Sequence, residues 1–304
     1  MRVAVTGATG LIGAAVVQAL HSRGDDVCAL SRDVRRGRAR LGGGVDVREW
    51  ADPEHGPPPV EALAGTDAVV HLLGEPVDQR WTAEAKRSIR TSRVASTRAL
   101  VDVLRVMGED ECPAVLVSQS ATGYYGPRDG RELDEDAPAG EGFLAELVAD
   151  WESEALAATA FMRVACTRTG VVLTPRGGAL GRMLPFFRLG LGGPVAGGAQ
   201  YVPWVHLDDV VGAILWSIDD EHAAGPVNVT APHPVTNADL ARTLARVLHR
   251  PAVLPAPALA LRALYGEMSE LVLTGQRVVP RRLQRLGYAF AQPELERALR
   301  DELA

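Results

Sequence analysis

The chain has 304 residues, 47% of them hydrophobic and 23% charged, with a net charge of −6. That length predicts one large domain, or a large domain with a smaller one, and the composition excludes disorder over most of it. The acidic balance argues against bulk attraction to nucleic acid. Of the 32 cationic side chains only one is a lysine, Lys86, so chemistry that needs a lysine has a single candidate. Cys28, Cys112 and Cys166 are widely separated and lack paired spacing for zinc or a redox couple. They read as free thiols, which fits a reducing, cytoplasmic setting. The first residues lack a basic segment leading into a long apolar core, so no signal peptide is expected. No apolar run reaches the length of a membrane span.

Strand and helix signals alternate over the first two-thirds. Residues 2–6 read as a strand and 11–21 as a helix with Ala, Val and Leu on one side, stopped by Gly24. Further strands are predicted at 27–30, 68–73, 114–118 and 163–173, and further helices at 82–106 and 146–158. Residues 37–59 are rich in Gly and Pro and read as containing a loop, 127–142 as a polar, turn-rich stretch, and 177–203 as a long loop or lid. From Thr236 the texture is mostly helical, with Pro251, Pro255 and Pro257 marking a joint. This alternation implies an α/β fold with a doubly wound parallel sheet covered on both faces. A smaller, mostly helical C-terminal region is expected to face the substrate. The expected division is 1–175, with strand and helix returns near 204–230, and 176–304.

Thr6-Gly7-Ala8-Thr9-Gly10-Leu11-Ile12-Gly13 follows the first strand and opens the first helix. Gly7 suits the tight turn, Gly10 the close approach of a pyrophosphate, and Gly13 the packing of helix on sheet. The unpaired N–H groups at the helix start suit an anion. The second strand ends at Ser31-Arg32, where a dinucleotide site preferring NAD places an acid on the ribose. A hydroxyl and a guanidinium suit a 2′-phosphate instead, so NADP is the expected cofactor. Asp33 stands one place further on and opposes that reading.

These blocks resemble the extended short-chain dehydrogenase/reductase superfamily, whose sheet is Rossmann-like. Val70-His71-Leu72-Leu73-Gly74 resembles its fourth-strand block. Residues Val117 to Gly126, with Ser120, Tyr124 and Tyr125, resemble its fifth-strand block, and Trp204 to Asp209 the block closing the substrate side. A finer similarity is to its atypical epimerase family subgroup, also called cell-division-inhibitor-like. It rests on Gly74-Glu75-Pro76, Arg80-Trp81-Thr82, Ser92-Arg93, Gly142-Phe143-Leu144, Trp151-Glu152, Thr167-Arg168-Thr169-Gly170, Leu191-Gly192-Gly193-Pro194 and the run from Gly266 to Pro280, which resembles an extra terminal module. The resemblance implies nucleotide binding through Gly7, Gly10, Leu11, Ile12, Gly13, Ser31, Arg32, Leu73 and Gly74.

The superfamily's usual proton relay is Tyr-x-x-x-Lys with a nearby Ser or Thr. Ser120 matches the Ser, but Phe143 and Leu147 occupy the Tyr and Lys positions, and no lysine follows Lys86. Tyr124 and Tyr125 are the candidate substitutes, with Ser120 orienting a substrate oxygen. Glu75, Arg80 and Lys86 follow the fourth strand within reach of the same pocket, although Lys86 also reads as part of a solvated helix face. His206 reads as the start of a helix capped by Asp208 or Asp209, and Arg168 as a buried structural partner. No metal is expected. The expected function is an NADP(H)-dependent oxidoreductase or epimerase acting on a hydroxyl or carbonyl of a small polar metabolite, nucleotide sugars included. The alternative is a non-catalytic NADP(H)-binding sensor or interaction protein. A small-molecule substrate and a homodimer are expected, without nucleic acid or membrane.

Overall fold

The structure is a computed structural model and describes residues 1–108, 111–252 and 254–304. In chain order the first elements are β1 (Arg2–Thr6), α1 (Leu11–Arg23), β2 (Asp26–Ser31), α2 (Val34–Leu41), β3 (Asp46–Glu49), α3 (Val60–Leu63), β4 (Ala68–His71), α4 (Ala83–Val106) and β5 (Val115–Ala121). Then come β6 (Glu132–Leu133), α5 (Phe143–Leu156), β7 (Arg163–Thr169), β8 (Val171–Leu173), α6 (Gly178–Arg188), β9 (Tyr201–Val202), β10 (Trp204–His206), α7 (Leu207–Asp219) and β11 (Gly225–Val229). The C-terminal part holds β12 (Val235–Thr236), α8 (Asn237–Val247), α9 (Ala258–Tyr265), α10 (Glu270–Leu273), β13 (Arg277–Val278), α11 (Arg281–Arg285) and α12 (Leu295–Glu302).

Seven strands form one parallel sheet in the order β11-β7-β5-β4-β1-β2-β3. Side chains alternate across each strand, so both faces must be apolar. Val3, Val5, Val27, Ala29, Val70, Val117 and Val227 pack under α1 and α7. Ala4, Cys28, Leu30, Val69, Leu116 and Val164 pack under α4 and α5 on the other face. The chain winds outward in both directions from the β1–β4 pair. That switch point opens a crevice beyond the carboxyl ends of the strands, where such sheets bind ligands.

The helix expected at 11–21 runs to Arg23, and Gly24 closes it at φ 87°. Regular structure occurs within the turn-rich stretches, β6 among them. Residues 37–59 contain the end of α2 and all of β3, and 177–203 contain α6, with Pro185 inside it. The glycines and proline that argued for loops are tolerated because α6 buries Leu180, Leu184 and Phe187 against β8 and α8. The expected strand 163–173 is two strands, β7 in the main sheet and β8 paired with β10. Gly170 separates them. Its N–H donates to Val229 O at 3.0 Å, while the Val171 N–H turns to Pro203 O at 2.7 Å.

Buried carboxylates hold the C-terminal segment against the sheet. Asp209 accepts the N–H groups of Ala291 and Gln292 at 2.7 and 3.0 Å. Glu135 accepts those of Asn228 and Arg282 at 3.1 Å. Strand β13 adds to β6, and the Asn228 side-chain amide donates to Val279 O at 3.0 Å. No helix among the described residues is long and apolar enough to cross a membrane.

A side chain begun at Gly170 meets Pro203 O at 2.0 Å, and that backbone contact cannot yield as a flexible side chain would. Gly170→Ala is therefore expected to cost about 1–3 kcal/mol, as overpacking does. Urea denaturation should show a lower midpoint with an unchanged slope.

Candidate functional site

Behind the crevice lies a polar hub. Thr6 ends β1 and donates its hydroxyl to His71 Nδ1 at 2.8 Å, while accepting the Leu72 N–H at 3.2 Å. The Thr97 hydroxyl is given to Arg93 O at 2.7 Å. Its oxygen is therefore left to accept from His71 Nε2 and Trp151 Nε1, both at 3.0 Å. These directions settle the ring as a neutral Nε2–H tautomer. Burial pushes its pKa down to about 3. One imidazole thus joins β1, β4, α4 and α5 just behind the glycine turn.

The three glycines of that turn are constrained differently. Gly7 has φ 64°, and a side chain there would meet Leu72 O at 2.5 Å. At Gly13 it would meet Gly7 O at 2.2 Å. At Gly10 the sole atom within 4 Å is Gly7 O at 3.2 Å, so this glycine opens outward. Gly10 is also the residue before α1, whose first turn carries no acidic side chain. The turn therefore offers bare N–H groups and open space to an anion.

At the far end of β2, the Ser31 hydroxyl bonds the backbone of Asp33, donating to its carbonyl at 3.0 Å and accepting its N–H at 3.3 Å. Asp33 caps α2 by accepting the Arg36 N–H at 2.9 Å. The acid that argued against a phosphate is thus used as a helix cap. Arg32, Arg35 and Arg36 are exposed and make no ion pair among the described residues.

One cation went unassigned in the sequence. The Arg93 guanidinium lies against Gly74, where an added Cβ would stand 2.7 Å from its central carbon. It donates to Glu75 O and Ile89 O at 2.9 and 3.1 Å and lies 5.2 Å from the Trp151 ring centroid. No carboxylate lies within ion-pair distance of it among the described residues, and burial pushes its pKa down to about 10 against the opposing pull of the Glu75 charge. Ser92-Arg93 was legible as a motif. Its charge was not assignable, because only the fold brings α4 back to the end of β4.

Ser120, Tyr124 and Tyr125 come together around Arg168. The Ser120 hydroxyl, fully buried, donates to Glu152 Oε1 at 2.5 Å. Arg168 makes a two-pronged bond to Glu152, both arms at 2.8 Å, and donates to the Tyr125 oxygen at 3.0 Å. Tyr125 is fully buried and lies within bonding distance of Asn228 Oδ1 and Asp134 O, at 2.7 and 2.9 Å. Burial raises its pKa to about 12, although Arg168 pulls the other way. The Arg168 pKa is raised: burial opposes the charge, but the bonds to Glu152 outweigh it. The hydroxyls of Ser120 and Tyr125 are therefore held inside the protein. Tyr124 is different. Its ring sits on the Arg168 guanidinium at 3.5 Å, it is half-buried, and its hydroxyl has no hydrogen bond among the described residues.

Phe143 begins α5 and meets Trp81 edge-on at 5.1 Å, while Leu147 is buried with Trp81, Ile89 and Met268. Lys86 is not on a solvated face. It is half-buried, lies 5.2 Å from the Phe143 centroid and forms an ion pair with Glu267. His206 itself caps α7, because its Nδ1 accepts the Asp208 N–H at 3.2 Å; neither Asp208 nor Asp209 is the cap. Its Nε2 faces Asp301 and Glu302 at 3.4 and 3.3 Å. His206, Asp208 and Asp301 place ligand atoms within 4.8 Å of one another. A backbone N–H on Nδ1 leaves the ring proton on Nε2, which faces these acids without making a hydrogen bond among the described residues.

The sequence profile of the NAD dependent epimerase/dehydratase family matches residues 3–230, and that of a domain of unknown function, DUF1731, matches 256–302. The chain belongs to the NAD-dependent epimerase/dehydratase family. A chloroplastic epimerase family protein of Arabidopsis thaliana, a homologue of SDR39U1, is 39% identical over 99% of this chain and 86% of its own length. The crystal structure of the human epimerase family protein SDR39U1 with NADPH superposes with a TM-score of 0.87 at 35% identity, covering 99% of this chain and 98% of that one. UDP-glucuronic acid 4-epimerase from Bacillus cereus, in complex with UDP-glucuronic acid and NAD, superposes at 0.79 with 16% identity and covers 100% and 99%. That last likeness establishes the shared fold. In this epimerase-type sheet the C-terminal DUF1731 segment adds β13 and α9 to α12.

The neutral His71 makes stability pH-dependent. Its folded pKa is depressed below the ordinary value near 6.5, so between about pH 6.5 and 3 the unfolded chain binds a proton that the folded chain refuses. Stability should rise with pH across that window and be lost as pH falls, by on the order of 4 kcal/mol. Urea titrations at several pH values should show this slope, and His71→Gln should flatten it by one proton.

Proposed function

We propose that this chain is an NADP(H)-dependent oxidoreductase or epimerase-type enzyme acting on a carbonyl or hydroxyl of a small polar metabolite. The observation that carries the reading is the Arg93 guanidinium, without an ion pair among the described residues, beside a glycine turn whose middle glycine is open. Withdrawing a cation from water is costly, the nearby Glu75 charge offsets part of that cost, and an incoming pyrophosphate lowers it further. Gly7 and Gly13 shape the turn, the Gly10 N–H closes it on Gly7 O at 2.9 Å, and the N–H groups of Leu11 and Ile12 face the phosphates. Leu73 and Gly74 border the ribose side. Arg32, with Arg35 and Arg36 behind it, meets the 2′-phosphate, and Ser31 holds the loop that carries Arg32. The NADPH bound to the human relative supports this choice over NAD. In this reading 1–175, with the returns at 204–230, hold the cofactor, and 176–304 face the substrate.

When bound, the nicotinamide supplies or accepts the hydride. Proton transfer then falls to Tyr124, the one hydroxyl of the three with no hydrogen bond among the described residues. Arg168 stands under its ring and replaces, as a cation, the lysine that Leu147 cannot be. Ser120 and Tyr125 act at one remove, by fixing Glu152 and Arg168. Nucleotide sugars fall within the substrate range because the Bacillus cereus relative of the same fold is in complex with one.

Arg93→Met should weaken NADPH binding at least about tenfold, about 1.4 kcal/mol, read by quenching of tryptophan fluorescence. Arg32→Ala should bring the NADPH and NADH affinities together by a similar factor. Tyr124→Phe should leave NADPH binding intact and lower turnover of carbonyl substrates by about 100-fold or more. Tight NADPH binding without turnover of any of a broad carbonyl panel would instead favour a sensor, the reading that the locked hydroxyls of Ser120 and Tyr125 suit.

A further inference from the structure

Lys86 lies seven residues before Arg93 on α4, hence on the same helix face and roughly 10 Å nearer its N-terminus. Between them Ile89 is fully buried, which shows that this face looks inward. Arg93 marks the end of β4, so Lys86 stands beyond the strand ends, further out along the same crevice. Two other walls meet it there. Phe143 comes from the start of α5, and Glu267 comes from the segment joining α9 to α10. Arg80 joins them, its Nε 3.8 Å from where a side chain at Gly266 would start, exposed and without an ion pair among the described residues. Glu270 is turned elsewhere, toward Gly142 at the N-terminus of α5.

The ion pair is lopsided. The Lys86 side chain is 29% exposed and that of Glu267 65%. A pair with one partner so open to water is worth about 0–1 kcal/mol, so a ligand oxyanion displaces the carboxylate at little cost. The ammonium is a compact charge with three donors, suited to a single oxyanion rather than a planar fork. Every other side-chain cation in this chain is an arginine. Glu267 thus holds, in the free protein, the position an anion would take.

We infer that Lys86, supported by Arg80, is the recognition site for an oxyanion carried by the substrate, a carboxylate or a phosphate, and that Glu267 is its displaceable stand-in. This rests on the reading of the crevice as a cofactor and substrate site, and it narrows the substrate class to anionic carbonyl or hydroxyl compounds. The segment 266–270 is then a specificity element, because it supplies the competitor of the substrate.

The single lysine makes the test direct. Reductive dimethylation with 13C-formaldehyde labels two amines, Lys86 and the chain terminus, and keeps both charges. The Lys86 NMR signal is followed in the full chain, with and without NADP, during titration with 2-oxobutyrate, inorganic phosphate and UDP-glucuronate. Saturable movement with at least one probe is expected below about 10 mM. A response to 2-oxobutyrate alone assigns a carboxylate, and one to phosphate alone a phosphate. Glu267→Gln should tighten that binding about threefold by removing the competitor. A Lys86 signal that none of the three probes moves, with or without NADP, overturns the inference, as does Glu267→Gln leaving the affinity unchanged. Loss of NADP binding would overturn the cofactor reading separately. The titration without NADP still decides the lysine.

Discussion

The buried bond between Glu152 and Arg168 organises the site. It joins α5 to β7, takes up the hydroxyl of Ser120 at the end of β5, and through Arg168 reaches Tyr125 and the ring of Tyr124. Both charges are almost fully buried, so removing either leaves the other unpaired in low dielectric, at a cost of about 3–5 kcal/mol. Asn228, bonded to Tyr125, extends the same network to β11 and on to Val279 of the C-terminal segment. One ion pair therefore ties the sheet to the segment that covers it. A group so connected cannot be rearranged to free Ser120 or Tyr125 without loosening the fold.

The crevice has a complementary character. Its floor is a neutral hub at His71, kept uncharged by burial and by the donor from Thr6. Its cations lie at and beyond the strand ends, with Arg32 exposed at the end of β2, Arg93 half-buried at the end of β4, and Lys86 half-buried beyond it. Charge gathered at the strand ends leaves most of each strand apolar, so the parallel sheet stays buried on both faces.

Much of the fold was legible because its signals are local. The valine-rich strands, the glycine turn and the amphipathic course of α4 each show in a short window of sequence. The misreadings share one cause. α6 and β3 lie in segments rich in glycine and proline, and they form because Leu180, Leu184 and Phe187, or Val47, find partners far away in the chain. The continuous strand expected at 163–173 is broken because Gly170 is pressed against Pro203. Asp33 and His206 were judged by type, and each proved to be a helix cap, a use fixed by backbone geometry.

The sequence alone determined the parallel α/β sheet, the glycine turn after β1, the basic end of β2 and the lack of a Tyr-x-x-x-Lys pair. These follow from residue type and spacing. Only the tertiary structure decided which groups are free to act. Ser120 and Tyr125 are enclosed and Tyr124 is not; Arg93 has no ion pair among the described residues; the single lysine faces Phe143 and Glu267. Burial and pairing are properties of neighbours brought together from distant parts of the chain. No short stretch of sequence contains both members of those contacts.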